Sequence, residues 1–106
     1  MTRHDGRMTT EISSAQLGNN TAQHRYELHL GDRLCAHIAY RPHGEGVIDM
    51  VHTEVEPDLE GQGLASKIAK FALDDARSRH LKVMASCRYL AAYIAKHAEY
   101  GDLVAA

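Results

Sequence analysis

The sequence has no tryptophan, two prolines and two cysteines among its 106 residues, and it contains no long uninterrupted apolar run. Two cysteines, Cys35 and Cys87, do not make the dense even-numbered framework that staples small secreted domains. With no apolar signal segment and no stretch of about 20 apolar residues to span a bilayer, the expectation is a cytoplasmic protein without a membrane partner. A large charge of one sign is missing as well. The formal net charge of -2 supplies no basic field to neutralise nucleic-acid phosphates, which argues against nucleic acid as a main partner. The eight histidines never fall in close pairs at metal-ligand spacing, and neither a zinc-finger pattern nor an H-E-x-x-H helix occurs, so no metal is assigned.

What is present is ordinary globular composition, 44% apolar and 25% charged, in a length that holds one core. Residues 1–22 are rich in Thr, Ser, Asn and Gly and show neither the helical nor the strand period, so they read as a mobile N-terminal tail. Residues 23–106 read as one compact domain. Tyr26, Leu28 and Leu30 alternate with Arg25, Glu27 and His29, the period of a half-buried strand. Gly31-Asp32 supplies a hairpin turn, and a second strand carries Leu34, Ala36, Ile38 and Tyr40 on one face, leaving Cys35 on the outer one. A third strand runs from Val47 to Val55 and ends before Pro57, which lacks a donor and holds its predecessor extended.

Apolar residues then recur with the helical period at Leu64, Ile68, Phe71, Ala72, Leu73 and Ala76, and Arg77, Arg79 and His80 suit the negative end of a helix. Leu81–Ser86 reads as a fourth strand, and about Tyr89 to Glu99 as a last helix with Leu90, Tyr93, Ile94 and His97 on one face. Strand, crossover helix and strand in succession predict a parallel pair. The expected class is α/β (α+β): a mixed sheet, antiparallel through its first three strands and parallel at the third and fourth, flanked by helices.

The loop before the first helix carries the chemistry. A helix start has four backbone N–H groups without intrahelical acceptors and a partial positive charge, which suits phosphate oxygens. Gly61 and Gly63 let a ligand approach the backbone, although a bare G-x-G before a helix also serves merely to shape a loop. The dinucleotide fingerprint fits poorly, since about five residues separate the glycines from the strand and the next strand ends in Ala85-Ser86-Cys87 without an acid. A P-loop is excluded because Lys67 lacks the required spacing.

The run Glu60-Gly61-Gln62-Gly63-Leu64-Ala65 resembles the Q/R-x-x-G-x-G/A pyrophosphate motif of the GNAT acetyltransferase superfamily, with Glu60 in place of the usual first residue. With His52-Thr53-Glu54-Val55 before it, a strand ending at Cys87, then Ala91-Ala92-Tyr93-Ile94 and His97-Ala98-Glu99-Tyr100, the chain resembles the short stand-alone YjdJ-like subgroup from about Tyr26 to Val104. The resemblance implies a GNAT-like fold that uses acetyl-coenzyme A as co-substrate. It implies that backbone groups of Gln62, Gly63, Ala65 and Ser66 hold the pyrophosphate, with Gly61 and Leu64 completing the coenzyme-binding turn. It also implies that the pantetheine arm pairs like an extra strand near Val55. Arg88 and Ala98 depart from the proline found at both positions in relatives.

Acetyl transfer to an amine needs a base for the acceptor, donors for the thioester carbonyl and an acid for the leaving thiolate. By strand alternation His52 and Glu54 share one face and are candidate bases; as a solvated pair at a sheet edge they would need no role. Cys87 is a candidate nucleophile expected to face His52 across the two parallel strands, or else a small buried hydrophobe. Tyr93 is a candidate acid for the leaving thiol, or an ordinary apolar-face aromatic. The leading function is N-acetyl transfer to a small amine or a peptide lysine. A non-catalytic acyl-coenzyme A binding module and a cysteine-dependent thioesterase are its rivals.

Overall fold

Hydrophobic alternation and one amphipathic helix build the architecture of the computed structural model, which describes residues 15–105. Five strands, β1 (Gln16–Asn20), β2 (Arg25–Leu30), β3 (Arg33–Pro42), β4 (Val47–Val55) and β5 (Lys82–Ala85), lie side by side in chain order. The first four are antiparallel and β5 joins β4 in parallel. Helix α1 (Leu64–Ser78) makes the crossover between β4 and β5, and α2 (Arg88–Lys96) follows β5. Short 3-10 turns at Pro57–Leu59 and Ala98–Leu103 complete the chain, so the last helix ends at Lys96 rather than near Glu99.

The core forms where α1 presents Ile68, Ala72, Leu73 and Ala76 to Tyr26, Leu28, Ile38, Met50 and Val83, all fully buried. Apart from Cys35, the buried sheet residues share one face, because direct partners in register point the same way. Truncating Leu73 to Ala would cost about 2–5 kcal/mol, the usual toll of a cavity in such a core.

The expected tail is corrected in its second half: Gln16–Asn20 pairs with β2 over five residues. Only Leu17 among them is apolar, and the other inward residue, Asn19, is held by polar contacts. Its amide donates to Asp75 at 3.4 Å and its carbonyl accepts from the Tyr40 hydroxyl at 2.7 Å. Tyr26 donates to the same Asp75 at 2.9 Å, and burial together with that bond pushes the phenol far above its ordinary range. Residues 1–14 lie outside the described residues.

Two bulges adjust the sheet. Leu28 faces Ala36 while His29 faces Leu34, so Cys35 is an extra residue on β3. This interrupts the alternation and corrects the expected outward position of Cys35, which is 1% exposed. Ala39 faces His52 while Tyr40 faces Met50, so Val51 is an extra residue on β4. Thr53 and Val55 therefore join Ile48 and Met50 on the helix-covered face, and His52 and Glu54 fall on the opposite one.

Candidate functional site

The parallel pair is short. It runs from Val47 opposite Lys82 to Met50 opposite Ala85, and the Cys87 amide donates to the Met50 carbonyl at 2.9 Å as its last link. There the chain turns into α2, and β4 continues to Val55 without a neighbour on that side among the described residues. The Glu56 amide donates to the Cys35 carbonyl at 2.9 Å, and antiparallel bonding takes alternate residues. The backbone groups of Thr53 and Val55 are thus turned towards the open side.

The start of α1 faces that opening. Gly61 and Gly63 hold left-handed conformations, φ 85° and 84°, which glycine adopts without the strain a β-carbon would bring. Gly63 is the N-cap; no side chain caps the helix and its first turn holds no acid. The first backbone bond of α1 runs from the Lys67 amide to the Gly63 carbonyl at 3.0 Å, leaving the amides of Gly63, Leu64, Ala65 and Ser66 without helical acceptors. Between helix start and open strand lies a cavity of about 320 Å³ lined by Thr53 and Val55 on one side, Gly61, Gly63 and Ser66 on the other, and Tyr89. Within Glu60 to Ser66 every residue but Gln62 lines it. The assigned turn and Val55 are therefore brought together, and Gln62 is the exception.

The candidate catalytic groups do not converge on one point. Cys87 is 7% exposed, and its Sγ lies 3.2 Å from the Thr53 hydroxyl on the helix-covered face. The expected approach of Cys87 to His52 is corrected, because the extra residue at Val51 puts His52 on the other face of β4. On that face His52 Nε2 is 3.4 Å from Glu54 Oε1, and His37 Nε2 reaches the same oxygen at 3.9 Å. Burial holds the His37 imidazole below its ordinary value, the Arg25 cation acts in the same sense, and Glu54 opposes them. Tyr93 lies outside the main cavity and stacks on His97 with ring centroids 3.9 Å apart.

Residue-by-residue reading of the sequence assigned no role to Thr53, Tyr89 or His37. Thr53 carried a signal, since it shares the face of Val55 by alternation. Tyr89 is two residues past Cys87 and lines the cavity together with Ser66, and burial raises its phenol. No group of three His, Cys, Asp or Glu side chains suited to a metal occurs among the described residues. No helix there is long and apolar enough to cross a membrane.

A strand opened from its parallel neighbour beside a glycine-led, uncapped helix start defines an α/β domain with a groove where its parallel strands part. The sequence pattern of the GCN5-related N-acetyl-transferase family matches residues 25–103, and the chain belongs to that family. It is similar to Protein NATD1 of Gallus gallus and of Mus musculus, 35% identical over 57 residues, which cover 54% of this chain and 52% of each relative. The chain thus spans about half the length of the curated relatives it matches. A GCN5-like chain from Staphylococcus aureus, solved in solution by NMR, superposes with a TM-score of 0.67 at 26% identity, covering 85% of this chain and 87% of that one. The ribosomal-protein-S18-alanine N-acetyltransferase of Escherichia coli shares the fold, with a TM-score of 0.58 at 15% identity over 69% of this chain and 50% of the other.

Proposed function

We propose that the chain binds acetyl-coenzyme A and transfers the acetyl group to an amine, either a small amine or a peptide lysine. The observation that carries this reading is the convergence of the unpaired edge of β4 on the uncapped start of α1. The pyrophosphate would accept from the free amides at Gly63 to Ser66, and the pantetheine amides would pair with Thr53 and Val55 as a further strand. The thioester then sits where β4 and β5 part, near Met50 and Cys87. The extended arm closes the sheet edge from the helix side, so the acceptor amine enters from the other face. There His52 and Glu54 form a titratable pair that would take its proton. Tyr93 as acid for the leaving thiolate has weaker support, since its ring is packed on His97.

A second route is favoured by the contact of Cys87 with Thr53. The Cys87 thiolate attacks the thioester carbonyl, the bond from that carbon to the coenzyme sulfur breaks, and the coenzyme thiolate takes up a proton. An amine then attacks the acetyl carbon, the bond from that carbon to Cys87 Sγ breaks so that Cys87 leaves as thiolate, and the nitrogen gives up one proton to solvent.

The test is free-thiol release from acetyl-coenzyme A over a panel of amines and lysine peptides, with intact mass measured alongside. Amine-dependent release supports transfer. Binding without turnover makes the chain an acyl-coenzyme module, and release without any acceptor makes it a thioesterase; either would overturn the proposal. Addition of one acetyl mass that disappears in Cys87→Ala selects the covalent route, while no adduct and near-normal turnover of that variant selects direct attack.

A further inference from the structure

The loop from Pro57 to Gly63 carries the glycine turn, and little of the domain holds it. Of its seven residues only Leu59 is not exposed. Its backbone bonds are local, from the Leu59 amide to the Glu56 carbonyl at 2.9 Å and from the Glu60 amide to the Pro57 carbonyl at 3.4 Å. Among the described residues no backbone bond joins this loop to the sheet. Leu59 is itself a thin anchor. It lines the main cavity and also a second cavity of about 270 Å³, shared with Leu30, Gly31, Arg33 and Cys35, so it lacks many of the contacts that fix a well-packed side chain.

Among the described residues Arg33 supplies the side-chain hydrogen bonds that join the loop to the sheet. It opens β3 directly after the β2–β3 turn, and its guanidinium donates to both carboxylate oxygens of Asp58, Nη2 to Oδ1 at 2.7 Å and Nη1 to Oδ2 at 3.1 Å. Nη2 also lies 3.5 Å from Glu56 Oε1. Such a fork fixes direction as well as distance. An exposed ion pair adds little to global stability, and many have no role. The place of this one is what matters. The exposed pairs Lys70–Asp74 and Arg79–Asp75 join residues four apart on one rigid helix, whereas Arg33 and Asp58 join the sheet to a loop 25 residues further along the chain.

We propose that Arg33 is a positioning residue for the coenzyme site: through Asp58 it holds the loop so that Gly61 and Gly63 stand where the ligand's phosphates approach the start of α1. The inference rests on the coenzyme reading above and adds to it a residue outside the cavity, since Arg33 does not line it. Holding a loop in its bound arrangement is felt as affinity, because the cost of ordering it is met before the ligand arrives. The apparent Kd rises by the inverse of the fraction of chains whose loop is in place. A loop in place about one fifth of the time therefore binds about fivefold more weakly.

The test is calorimetric titration of acetyl-coenzyme A into the native chain, Arg33→Gln, Asp58→Asn and the double variant, with backbone order parameters measured on the free chains. Charges acting through their field alone would make the two single changes opposite in sign, since loss of an acid beside a phosphate site tightens an anionic ligand and loss of a cation weakens it. The positioning role instead predicts that both weaken acetyl-coenzyme A by about fivefold and that the double variant is no weaker than either single one. Order parameters at 57–63 should fall in each variant while those of β4 stay as they were, and melting temperatures should move little. Lys70→Gln, which opens an exposed pair within α1, should leave the affinity unchanged and so controls for the loss of a cation. An Asp58→Asn chain that binds as tightly as the native one, or more tightly, would overturn the role of Arg33 while leaving the coenzyme reading intact. Failure of the native chain to bind acetyl-coenzyme A would overturn both.

Discussion

Replacing Gly63 by Val separates backbone strain from ligand exclusion. At φ 84° an L side chain sits in the left-handed region, which costs about 1–2 kcal/mol and more for a β-branched residue. A β-carbon at position 63 would meet nothing within 4 Å, so no clash with the protein adds to that strain. The expected loss of about 2 kcal/mol lowers the melting temperature by roughly 10 °C in a domain of this size. Gly44, in the β3–β4 turn at φ 71°, is equally open and far from the groove. Gly44→Val should therefore cost similar stability and leave coenzyme binding unchanged. Gly63→Val should in addition weaken coenzyme A by at least about tenfold, or about 1.4 kcal/mol, because its side chain fills the space the pyrophosphate needs. Calorimetric Kd values below the melting range decide the matter. A folded Gly63→Val chain that binds coenzyme A as tightly as Gly44→Val would refute the assignment of the turn.

Other outcomes are expected on the same physical grounds. Tyr26→Phe removes one of the donors to Asp75 and should destabilise by about 1–2 kcal/mol in denaturant unfolding, with coenzyme affinity unchanged. Deletion of residues 1–20 strips β1 from the sheet and with it the Asn19 contacts to Asp75 and Tyr40, so a marked fall in melting temperature should follow; an unchanged value would contradict the structural role of β1. His37 titrates below its ordinary 6.5 because it is half-buried, so the neutral ring favours the folded state. That contribution is complete above pH 6.5 and is lost as pH falls through the folded value; His37→Gln should flatten the stability profile in this window, and a profile as steep as the native one would contradict it.

The elements that positioned the site were legible because their signals are local. Val47 to Val55 ends at a proline, and the helical period begins directly after Gly63, so both walls of the cavity could be placed from residue order alone. Strand β1 was not legible, because its inward side is one leucine and one asparagine, and an asparagine satisfied by a tyrosine and an aspartate distant in sequence leaves no hydrophobic period to read. The bulges at Cys35 and Val51 were hidden for a related reason: they are defined by register with another strand, which no single stretch of sequence contains. The second of them decides the chemistry, since it sends Cys87 to Thr53 and leaves His52 with Glu54 and His37 on the far face.

The central claim is that one coenzyme lies across the start of α1 and along the open edge of β4. Titration of isotope-labelled protein with acetyl-coenzyme A, followed through the backbone amide resonances, tests it residue by residue. The account predicts the largest shifts at Gly63, Leu64, Ala65 and Ser66 and at Thr53 and Val55, with the amides of β1 nearly still. Absence of shifts at millimolar coenzyme, or shifts gathered on β1 and β2 instead, would contradict it.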